Sequence, residues 1–576
     1  MSLPTLPGDA GIALAFLFEH ADTILTQLKL LVITLAVLYV SSHASLRRPP
    51  SAAPAKKKWS GLSKDADQHD DEEKPSQMEG LQLSDAILFP VMAAVVLIGL
   101  YYLIQYLEDP DILNKILQWY ISLASLASLA MLYSHVLQLA ISFAFPQYWR
   151  SGGVIFHISQ SKRRQLIWEE GRKPEDQVVA DRPLGPLPFG PSTVRLPVCI
   201  ENFLWGCRGL LTTRWNLEVR IHGIVDEKAS FRLHHVVAVL LSAATVMSYH
   251  VWMSSHLTNV IGLALCYSSA QYLSPTCFKT GYSLLGGLFI YDIVMVFYTP
   301  YMITVATKLE APMKITVQTG GRTNILGLGD IVIPCLLVAL ALRFDLWMHY
   351  LGKVEYVPEA TPQSGEQDGS NPSREVARSK KYIATRAPYV DVSGRWADWL
   401  ATVSLIPWKP SPALPAEIAA STFPKPYFYA AMTGYALGMV VTLAMVLIFR
   451  HGQPALLYLV PGVVGALCLT AVARGEFRVM MLYNEDGSLD HKCSVVELDD
   501  RGKLVKFITA ETDEKKGDEK QGDEKKGDEK TAVEKTADKK EVATEEEEEE
   551  RPEVFLIRIS AVGTGKAPRA VKLHGE

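Results

Sequence analysis

Long apolar runs constrain the fold of this sequence more than any other feature, because many reach the length of a membrane span. A helix that crosses a hydrocarbon core of about 30 Å needs roughly 20 apolar residues. Lipid-exposed loops are excluded for these runs, since each unsatisfied backbone group in hydrocarbon costs several kcal/mol. We therefore predict an all-α polytopic membrane protein with nine transmembrane helices. The predicted spans cover residues 24–42, 86–107, part of 116–143, 236–252, 257–273, 282–299, 326–345, 427–449 and 454–472.

The composition supports this class of protein. Hydrophobic residues make up 48% of the chain, yet the mean hydropathy is only +0.11, because strongly polar loops separate the apolar runs. The net charge of −5 comes from an acidic tail, so it gives no indication of a nucleic-acid partner. The seven cysteines are scattered without zinc-type or CxxC spacing, and we interpret them as mostly reduced packing residues. We predict no metal site and no cofactor.

Basic residues are concentrated in alternate loops, which orients the predicted spans. The loops after the first, third and seventh spans are rich in lysine and arginine, whereas those after the second, fourth and eighth are short. Because cytosolic loops carry the excess of basic residues, we predict a lumenal N-terminus and a cytosolic C-terminus. Lys308, Lys314 and Arg322, between the sixth and seventh spans, are a mild exception.

The loops are predicted to hold little regular structure. Residues 153–158 and 217–225 are β-prone and could form a small ordered layer, and 477–510 could form a hairpin-like appendage. The charged repeat over 516–530 and the glutamate run over 545–550 are predicted to be disordered, because they bury too little to offset the entropy of ordering. The predicted regions are 1–146 (three spans), 147–235 (cytosolic loop), 236–345 (four spans), 346–426 (cytosolic loop), 427–474 (two spans) and 475–576 (a largely disordered cytosolic tail).

Two predicted spans carry an aspartate, Asp292 in the sixth and Asp330 in the seventh. Each such residue costs about 2.5–3.5 kcal/mol in a spanning helix even on the lenient insertion scale. Consecutive spans run antiparallel, so the ends joined by their loop share one membrane face. With a rise of 1.5 Å per residue, Asp292 lies about 10 Å and Asp330 about 7 Å from that face. The two carboxyl groups are therefore predicted to be at matching depth, where they could meet.

A pair of carboxyl groups in apolar surroundings could hydrolyse a peptide bond. Two such groups sharing a site cannot easily both ionise, so the pair titrates in two coupled steps and can hold one proton. The ionised member would take a proton from water as general base, and the protonated member would polarise the scissile carbonyl group. Neither a metal nor a covalent intermediate is required.

The neighbouring residues favour an accessible cleft. Gly327 and Gly329 beside Asp330 would let another backbone approach closely, as an extended substrate strand would. Pro334 should weaken the first turn of the seventh span. Tyr291 could hydrogen-bond into the site or serve as an apolar filler. The segment 454–456 begins the ninth span at the same depth, although proline at a helix start is unremarkable.

Two different roles for the aspartates remain open on these residues alone. Both could be isolated polar residues that find partners inside the helix bundle. Alternatively, they could carry the coupling ion of a proton- or cation-coupled transporter, in which discontinuous helices flank buried acids. Transporters of that kind usually show repeated halves, and we find no internal repeat of this kind in the sequence. Among the remaining polar and small residues, Arg343 and Asp345 are predicted to be exposed at the cytosolic surface, and Gly286 and Gly287 to permit close helix packing.

Three short motifs resemble the signatures of the presenilin and signal peptide peptidase family of nine-helix intramembrane aspartyl proteases. They are Tyr291-Asp292, Gly327-Leu328-Gly329-Asp330 and Pro454-Ala455-Leu456, in this order and each at the corresponding helix. The surrounding residues 309–312, 331–334 and 453–461 are most similar to the signal peptide peptidase branch. The predicted lumenal N-terminus agrees, since presenilins have the opposite orientation. The resemblance covers residues 234–474 and is weak over the first three spans.

This resemblance implies an intramembrane aspartyl endopeptidase with Asp292 and Asp330 as the catalytic pair. It implies substrates that are single transmembrane helices, such as signal peptides left in the lipid bilayer after cleavage. It also implies the endoplasmic reticulum membrane, although residues 572–576 carry no retrieval signal. A second copy of the chain and membrane-protein degradation machinery remain open as partners. The implied substrate-binding residues are Tyr291, Gly327, Leu328, Gly329, Pro454, Ala455 and Leu456.

Overall fold

The fold is described from a computed structural model of the chain. The described residues are 21–53, 80–107, 110–151, 153–169, 178–179, 185–188, 197–221, 225–309, 314–319, 322–358, 381–391, 402, 415–449, 453–485, 495–498, 504–508 and 555–561. The predicted repeat over 516–530 and the glutamate run over 545–550 lie outside them.

Thirteen helices are named here, all within the described residues. They are α1 (Ala21–Ala44), α2 (Leu83–Tyr106), α3 (Pro110–Ala144), α4 (Val198–Thr212), α5 (Leu233–Trp252), α6 (Ser255–Tyr272), α7 (Phe278–Ile293), α8 (Tyr301–Lys308), α9 (Gly329–Leu351), α10 (Ala416–Ala419), α11 (Pro426–Phe449), α12 (Leu456–Ala473) and α13 (Phe477–Leu482). A single π-helical turn, Val294–Tyr298, continues α7.

The helices confirm a mostly helical, multi-pass membrane protein but not the count of nine spans. Eight helices in the described part of the chain are long and apolar enough to cross a membrane. The predicted fifth span is present as α6, but this helix is not among the eight. Its sequence includes the strongly polar Asn259 and Gln271, which lower its hydropathy.

In the described ranges, twelve strands lie between and after these helices. They form four antiparallel sheets in the orders β1-β2-β3, β6-β7, β12-β4-β5 and β11-β10-β9-β8. The strands are β1 (Tyr148–Ser151), β2 (Val154–Ser159), β3 (Arg164–Ile167), β4 (Trp215–Ile221), β5 (Val225–Phe231), β6 (Lys314–Thr319), β7 (Arg322–Gly327), β8 (Glu355–Pro358), β9 (Lys381–Thr385), β10 (Val495–Leu498), β11 (Leu504–Ile508) and β12 (Phe555–Ala561).

The strands agree with several predictions for the loops and add one ordered segment within the predicted tail. The β-prone pieces 153–158 and 217–225 correspond to β2 and β4, and the predicted appendage contains the β10–β11 hairpin. The tail was predicted to be largely disordered, yet its residues 555–561 form β12 and pair along all of β4. The aromatic and β-branched residues Phe555, Ile557 and Ile559 favour a strand, which explains this ordered segment.

The chain divides into two compact units. The first comprises residues 1–212, 233–354 and 386–490, and it contains the helices together with the β1-β2-β3 sheet and the β6–β7 hairpin. The second comprises residues 213–232, 355–385 and 491–576, and it contains the other two sheets.

Helix α9, which carries Asp330, is the most enclosed helix of the first unit. Within its apolar window 78% of the residues are buried, against 11–39% in the other seven candidate spans. It packs against α1, α6, α7, α11 and α12. Protein rather than lipid thus covers most of the surface of α9. The position of Asp330 is therefore fixed by five neighbouring helices.

Glycines permit two close helix contacts. At the crossing of α11 and α12, a Cβ atom added to Gly434 would lie 2.4 Å from the carbonyl oxygen of Gly462. Such close approach of backbones is typical of small residues at membrane helix interfaces. In α7, a Cβ atom on Gly287 would lie 2.7 Å from Pro90 of α2, which confirms the predicted packing role. The same prediction is wrong for Gly286, because its Cβ atom would meet no atom within 4 Å.

The prediction that Arg343 and Asp345 are exposed is wrong, since each side chain is only 3% exposed. Helix α9 continues to Leu351, beyond the predicted end of the span, and later segments of the chain cover it. Asp345 accepts hydrogen bonds from the backbone N–H groups of Tyr427 (3.2 Å) and Phe428 (2.8 Å). These are N–H groups of the first turn of α11, which have no partner within that helix.

Arg343 forms the centre of a buried ionic cluster. Its Nε donates to Oε1 of Glu485 (2.8 Å) and its Nη2 to Oγ of Ser274 (2.6 Å). Glu485 also pairs with Arg47 and accepts from the hydroxyl group of Tyr483 (2.7 Å). The cluster joins α9 to the segment before α7 and to the segment after α12. Removing one partner of a buried ion pair leaves an uncompensated charge, so Glu485 is expected to be important for stability.

Glu485→Gln should lower the free energy of unfolding by about 3–5 kcal/mol, because the charge of Arg343 then stays buried without its counter-charge. Burial opposes ionisation of Glu485, but Arg343 and Arg47 outweigh it and hold the pKa of this carboxyl group below its ordinary value of 4.5. Its stabilising contribution is therefore present above that value and is lost as the pH falls through the lowered pKa. Unfolding in detergent, followed over a pH series, measures both effects.

The exposed Glu355 of β8 supplies the control for that experiment. Glu355→Gln should leave the unfolding free energy at neutral pH unchanged. If Glu485→Gln unfolds like the parent protein at neutral pH, the cluster does not stabilise the fold.

Candidate active site

Asp292 lies in the last turn of α7 and is 4% exposed. Its Oδ2 accepts a hydrogen bond from the backbone N–H of Leu456 at 3.1 Å. Leu456 is the first residue of α12, and the N–H groups of a first helical turn have no acceptor within their own helix. The carboxyl group of Asp292 therefore partners the start of α12, a contact that the sequence predicted only as a shared depth.

The residues 454–456 are all buried at this point. The next two N–H groups bond within the segment itself, Leu457 to the carbonyl oxygen of Pro454 (3.3 Å) and Tyr458 to that of Ala455 (3.1 Å). The N–H of Leu456 instead points at Asp292. The backbone of this motif, and not only its side chains, therefore contacts the site.

Asp330 is the second residue of α9, directly after the glycines at 327 and 329. Its carboxyl group interacts electrostatically with that of Asp292. Pro334, four residues further on, lacks the N–H group that would bond the carbonyl oxygen of Asp330 in a regular helix. The structure thus brings the two predicted aspartates to one region. The first turn of α9, which carries Asp330, has one backbone hydrogen bond fewer than a regular helix.

The remaining predicted site residues lie close to the two aspartates. A Cβ atom on Gly327 would lie 3.5 Å from Oδ2 of Asp330, so the end of β7 passes beside this carboxyl group. Gly329 is exposed, and a Cβ atom there would meet only Ile333, at 3.8 Å. Tyr291 is half-buried and packs against the main apolar core. Leu328 packs towards α6, where a Cβ atom added to Gly262 would lie 3.2 Å from its Cδ2.

A β-hairpin leads directly into the site, and the sequence analysis did not predict it. Strands β6 and β7 pair in antiparallel register, with Lys314 opposite Gly327 and Thr316 opposite Ile325. The side chain of Asn259, on α6, bonds both backbone groups of Thr316: Nδ2 donates to the carbonyl oxygen (2.7 Å), and Oδ1 accepts from the N–H (2.8 Å). The hairpin is thereby attached to α6 at one edge.

The direction of the backbone N–H and C=O groups of Thr316 shows which groups of β7 face away from β6. Successive residues of an antiparallel strand direct their N–H and C=O groups alternately to either side. Because Thr316 directs its groups at Asn259, the groups of Ile315 and Val317 face β7. On β7, Ile325 and Gly327 consequently direct theirs away from β6. Among the described residues no strand pairs with that outer edge of β7.

No group of three or more His, Cys, Asp or Glu side chains in the described residues could hold a metal ion. The groups that the site itself presents are two carboxyl groups, a backbone N–H donor and the outer edge of β7.

Comparison with known proteins agrees with the motifs. The family model described as signal peptide peptidase matches residues 73–487. Human signal peptide peptidase is 31% identical over 240 residues, which cover 40% of this chain and 45% of that protein. Mouse signal peptide peptidase is 30% identical over 262 residues, 44% of this chain and 50% of that protein. Intramembrane protease 2 of Caenorhabditis elegans is 27% identical over 46% of each chain. The chain thus spans about half the length of the relatives that it matches.

Gly327 gives a graded test of access to Asp330. Gly327→Ala adds an atom at ordinary contact distance from Asp330, so the peptide hydrolysis that the sequence predicts for this site should fall only slightly. Gly327→Val places further methyl groups beside the carboxyl group and should lower the rate by roughly tenfold or more, because small displacements of reacting groups are costly. Gly99→Val, in α2 where a Cβ atom meets nothing within 4 Å, is the matched control. Equal rates for Gly327→Val and the parent would show that this glycine does not border the reacting atoms.

Proposed function

This chain belongs to the signal peptide peptidase family, and on that premise we propose that it is an intramembrane aspartyl endopeptidase. The observation that carries the proposal is that Asp292 and Asp330, on separate helices of one bundle, lie near enough for their carboxyl groups to interact. Asp292 is also bonded to the Leu456 N–H, and Asp330 lies beside Gly327. Ionisable residues inside membrane-spanning helices are by default hypotheses of function. A pair of them beside an unpaired strand edge fits the hydrolysis of a peptide.

The two aspartates divide the chemistry between them. Asp292, whose Oδ2 accepts the N–H of Leu456, acts as the ionised base and removes a proton from a water molecule. Asp330, protonated, donates a hydrogen bond to the scissile carbonyl oxygen. The water oxygen bonds to the carbonyl carbon, and the tetrahedral intermediate then expels the amine. The amine receives the proton that Asp292 took up, which returns the pair to its single-proton state.

The substrate must be extended where it is cut, because a helical peptide bond is shielded by its own hydrogen bonds and side chains. The outer edge of β7 offers the backbone groups of Ile325 and Gly327 to such a strand. Adding an extended peptide to an exposed edge supplies main-chain hydrogen bonds independently of sequence. Gly327 at the end of that edge would place the peptide beside Asp330. The buried segment 454–456 borders the site from α12, and we assign it to holding the extended peptide.

The substrates proposed are single membrane-spanning helices, in particular signal peptides left in the bilayer after cleavage. Two of the similar proteins carry the name signal peptide peptidase. The distribution of basic loops supports a lumenal N-terminus and a cytosolic C-terminus. We place the protein in the endoplasmic reticulum membrane on the basis of its family. A second copy of the chain and the membrane-protein degradation machinery are the partners to test.

Asp292→Asn and Asp330→Asn should each abolish cleavage, because an amide can neither take up nor supply the proton. The measurement is turnover of a labelled signal peptide by purified protein in detergent, with and without an aspartyl transition-state mimic. Both variants should keep the melting temperature of the parent within a few degrees. Cleavage by either variant at the parent rate would remove that residue from the chemistry.

Helix-breaking residues in the substrate should increase cleavage, since local unwinding precedes hydrolysis. Two labelled peptides that differ only in a Gly-Pro pair or a Leu-Leu pair at the centre of the span allow a direct comparison. We expect the peptide with the Gly-Pro pair to be cut several-fold faster, because an interior proline weakens a helix by about 3 kcal/mol. Equal rates for the two peptides would contradict the requirement for an extended substrate.

A further inference from the structure

Asn259 is a polar residue of α6 whose side chain imitates a neighbouring strand. A carboxamide presents one donor and one acceptor side by side, as a backbone peptide group does. Asn259 uses both, with Nδ2 donating to the carbonyl oxygen of Thr316 (2.7 Å) and Oδ1 accepting from its N–H (2.8 Å). The edge of β6 that faces away from β7 is thus bonded to a helix through a single side chain.

Apolar contacts alone do not fix the hairpin along its own axis. Ile315 is 1% exposed and packs into the main core, and a Cβ atom on Gly262 of α6 would lie 3.8 Å from its Cγ1. Such contacts hold the hairpin against the helices but are non-directional. The two hydrogen bonds of Asn259 are directional, and they select one residue of β6 as the point of attachment. A shift by one residue along the strand would present groups that face β7 instead.

We propose that Asn259 is a positioning residue that sets where the substrate strand lies relative to the catalytic aspartates. The steps are few: Asn259 fixes Thr316, Thr316 lies opposite Ile325, and β7 ends at Gly327 beside Asp330. The inference rests on the proposed proteolytic function. It adds that a side chain outside the three motifs determines which peptide bond of the substrate reaches the pair.

The first variant is Asn259→Leu, which keeps a similar volume and removes both hydrogen bonds. We expect kcat to fall roughly tenfold with KM changed less than about twofold, because a displaced strand binds the peptide but aligns it poorly. We also expect the cleavage positions in a labelled signal peptide, read by mass spectrometry, to spread to neighbouring bonds. A loss of stability alone would lower the amount of active enzyme without moving the cleavage positions.

Thr258→Ala is the matched control on the preceding residue. The Thr258 hydroxyl group bonds the carbonyl oxygen of Ser254 within its own helix (3.2 Å) and so has no part in attaching the hairpin. This variant should keep the parent kcat and the parent cleavage positions.

A second variant tests the same contact from the hairpin. Thr316→Pro removes the N–H group that donates a hydrogen bond to Oδ1 of Asn259. Because that N–H points away from β7, the hydrogen bonds between β6 and β7 remain. It should spread the cleavage positions as Asn259→Leu does, even if Asn259→Leu proves too unstable to purify. Parent-like kcat and parent-like cleavage positions in either purified variant overturn the inference.

Amide hydrogen exchange separates this inference from the proposed function. In the full-length parent protein the Thr316 amide should exchange slowly, and in Asn259→Leu it should exchange at least about tenfold faster, while the Val317 amide facing β7 stays protected. This comparison needs no turnover. Faster exchange with no cleavage by the parent would discard the protease and keep the attachment, whereas unchanged exchange at Thr316 rejects the attachment itself.

Discussion

A carboxyl group inside a buried helix bundle needs a polar partner, and the hydrogen bond from the Leu456 N–H to Asp292 supplies one. The geometry of the site depends on this contact, because it requires α12 to begin at the level where α7 ends. The glycine crossing of α11 and α12 holds α12 close to its neighbour, and the enclosed α9 places Asp330 against the same region. Each element satisfies a local requirement, and together they bring the end of β7 beside Asp330.

The matching depth of the two aspartates stays a prediction, which follows from helix rise and the alternation of spans. We did not predict the hairpin from the sequence, although Gly320-Gly321 directly after the alternating stretch 314–319 is a hairpin signal. The position of that segment between two spans favoured a loop instead. The predicted count of nine transmembrane spans was not confirmed, because polar residues lower the hydropathy of α6. One of these residues is Asn259, which forms hydrogen bonds with the hairpin.

Contacts between distant residues were beyond the reach of local patterns. Arg343 and Glu485 lie 142 residues apart, and Asp345 caps a helix that begins 81 residues later. Sequence position near the end of an apolar run predicted exposure for both charges, whereas folding covered them with later segments. Neither the partner of Asp292 on α12 nor the attachment of Thr316 has a signature in composition or periodicity. Such pairings follow from tertiary packing, which overrides the preference of a single residue.

The pairing of β12 with β4 makes residues 555–561 part of a sheet whose other strands come from the loop after the third span. Segments far apart in the chain therefore complete one another, and β4 is an inner strand only when the later segment has been synthesised. Without residues 555–561, the backbone groups of β4 that face β12 would be unpaired, and an exposed strand edge of this kind invites pairing with other chains. The late strand thus covers a possible site of self-association as well as extending the sheet.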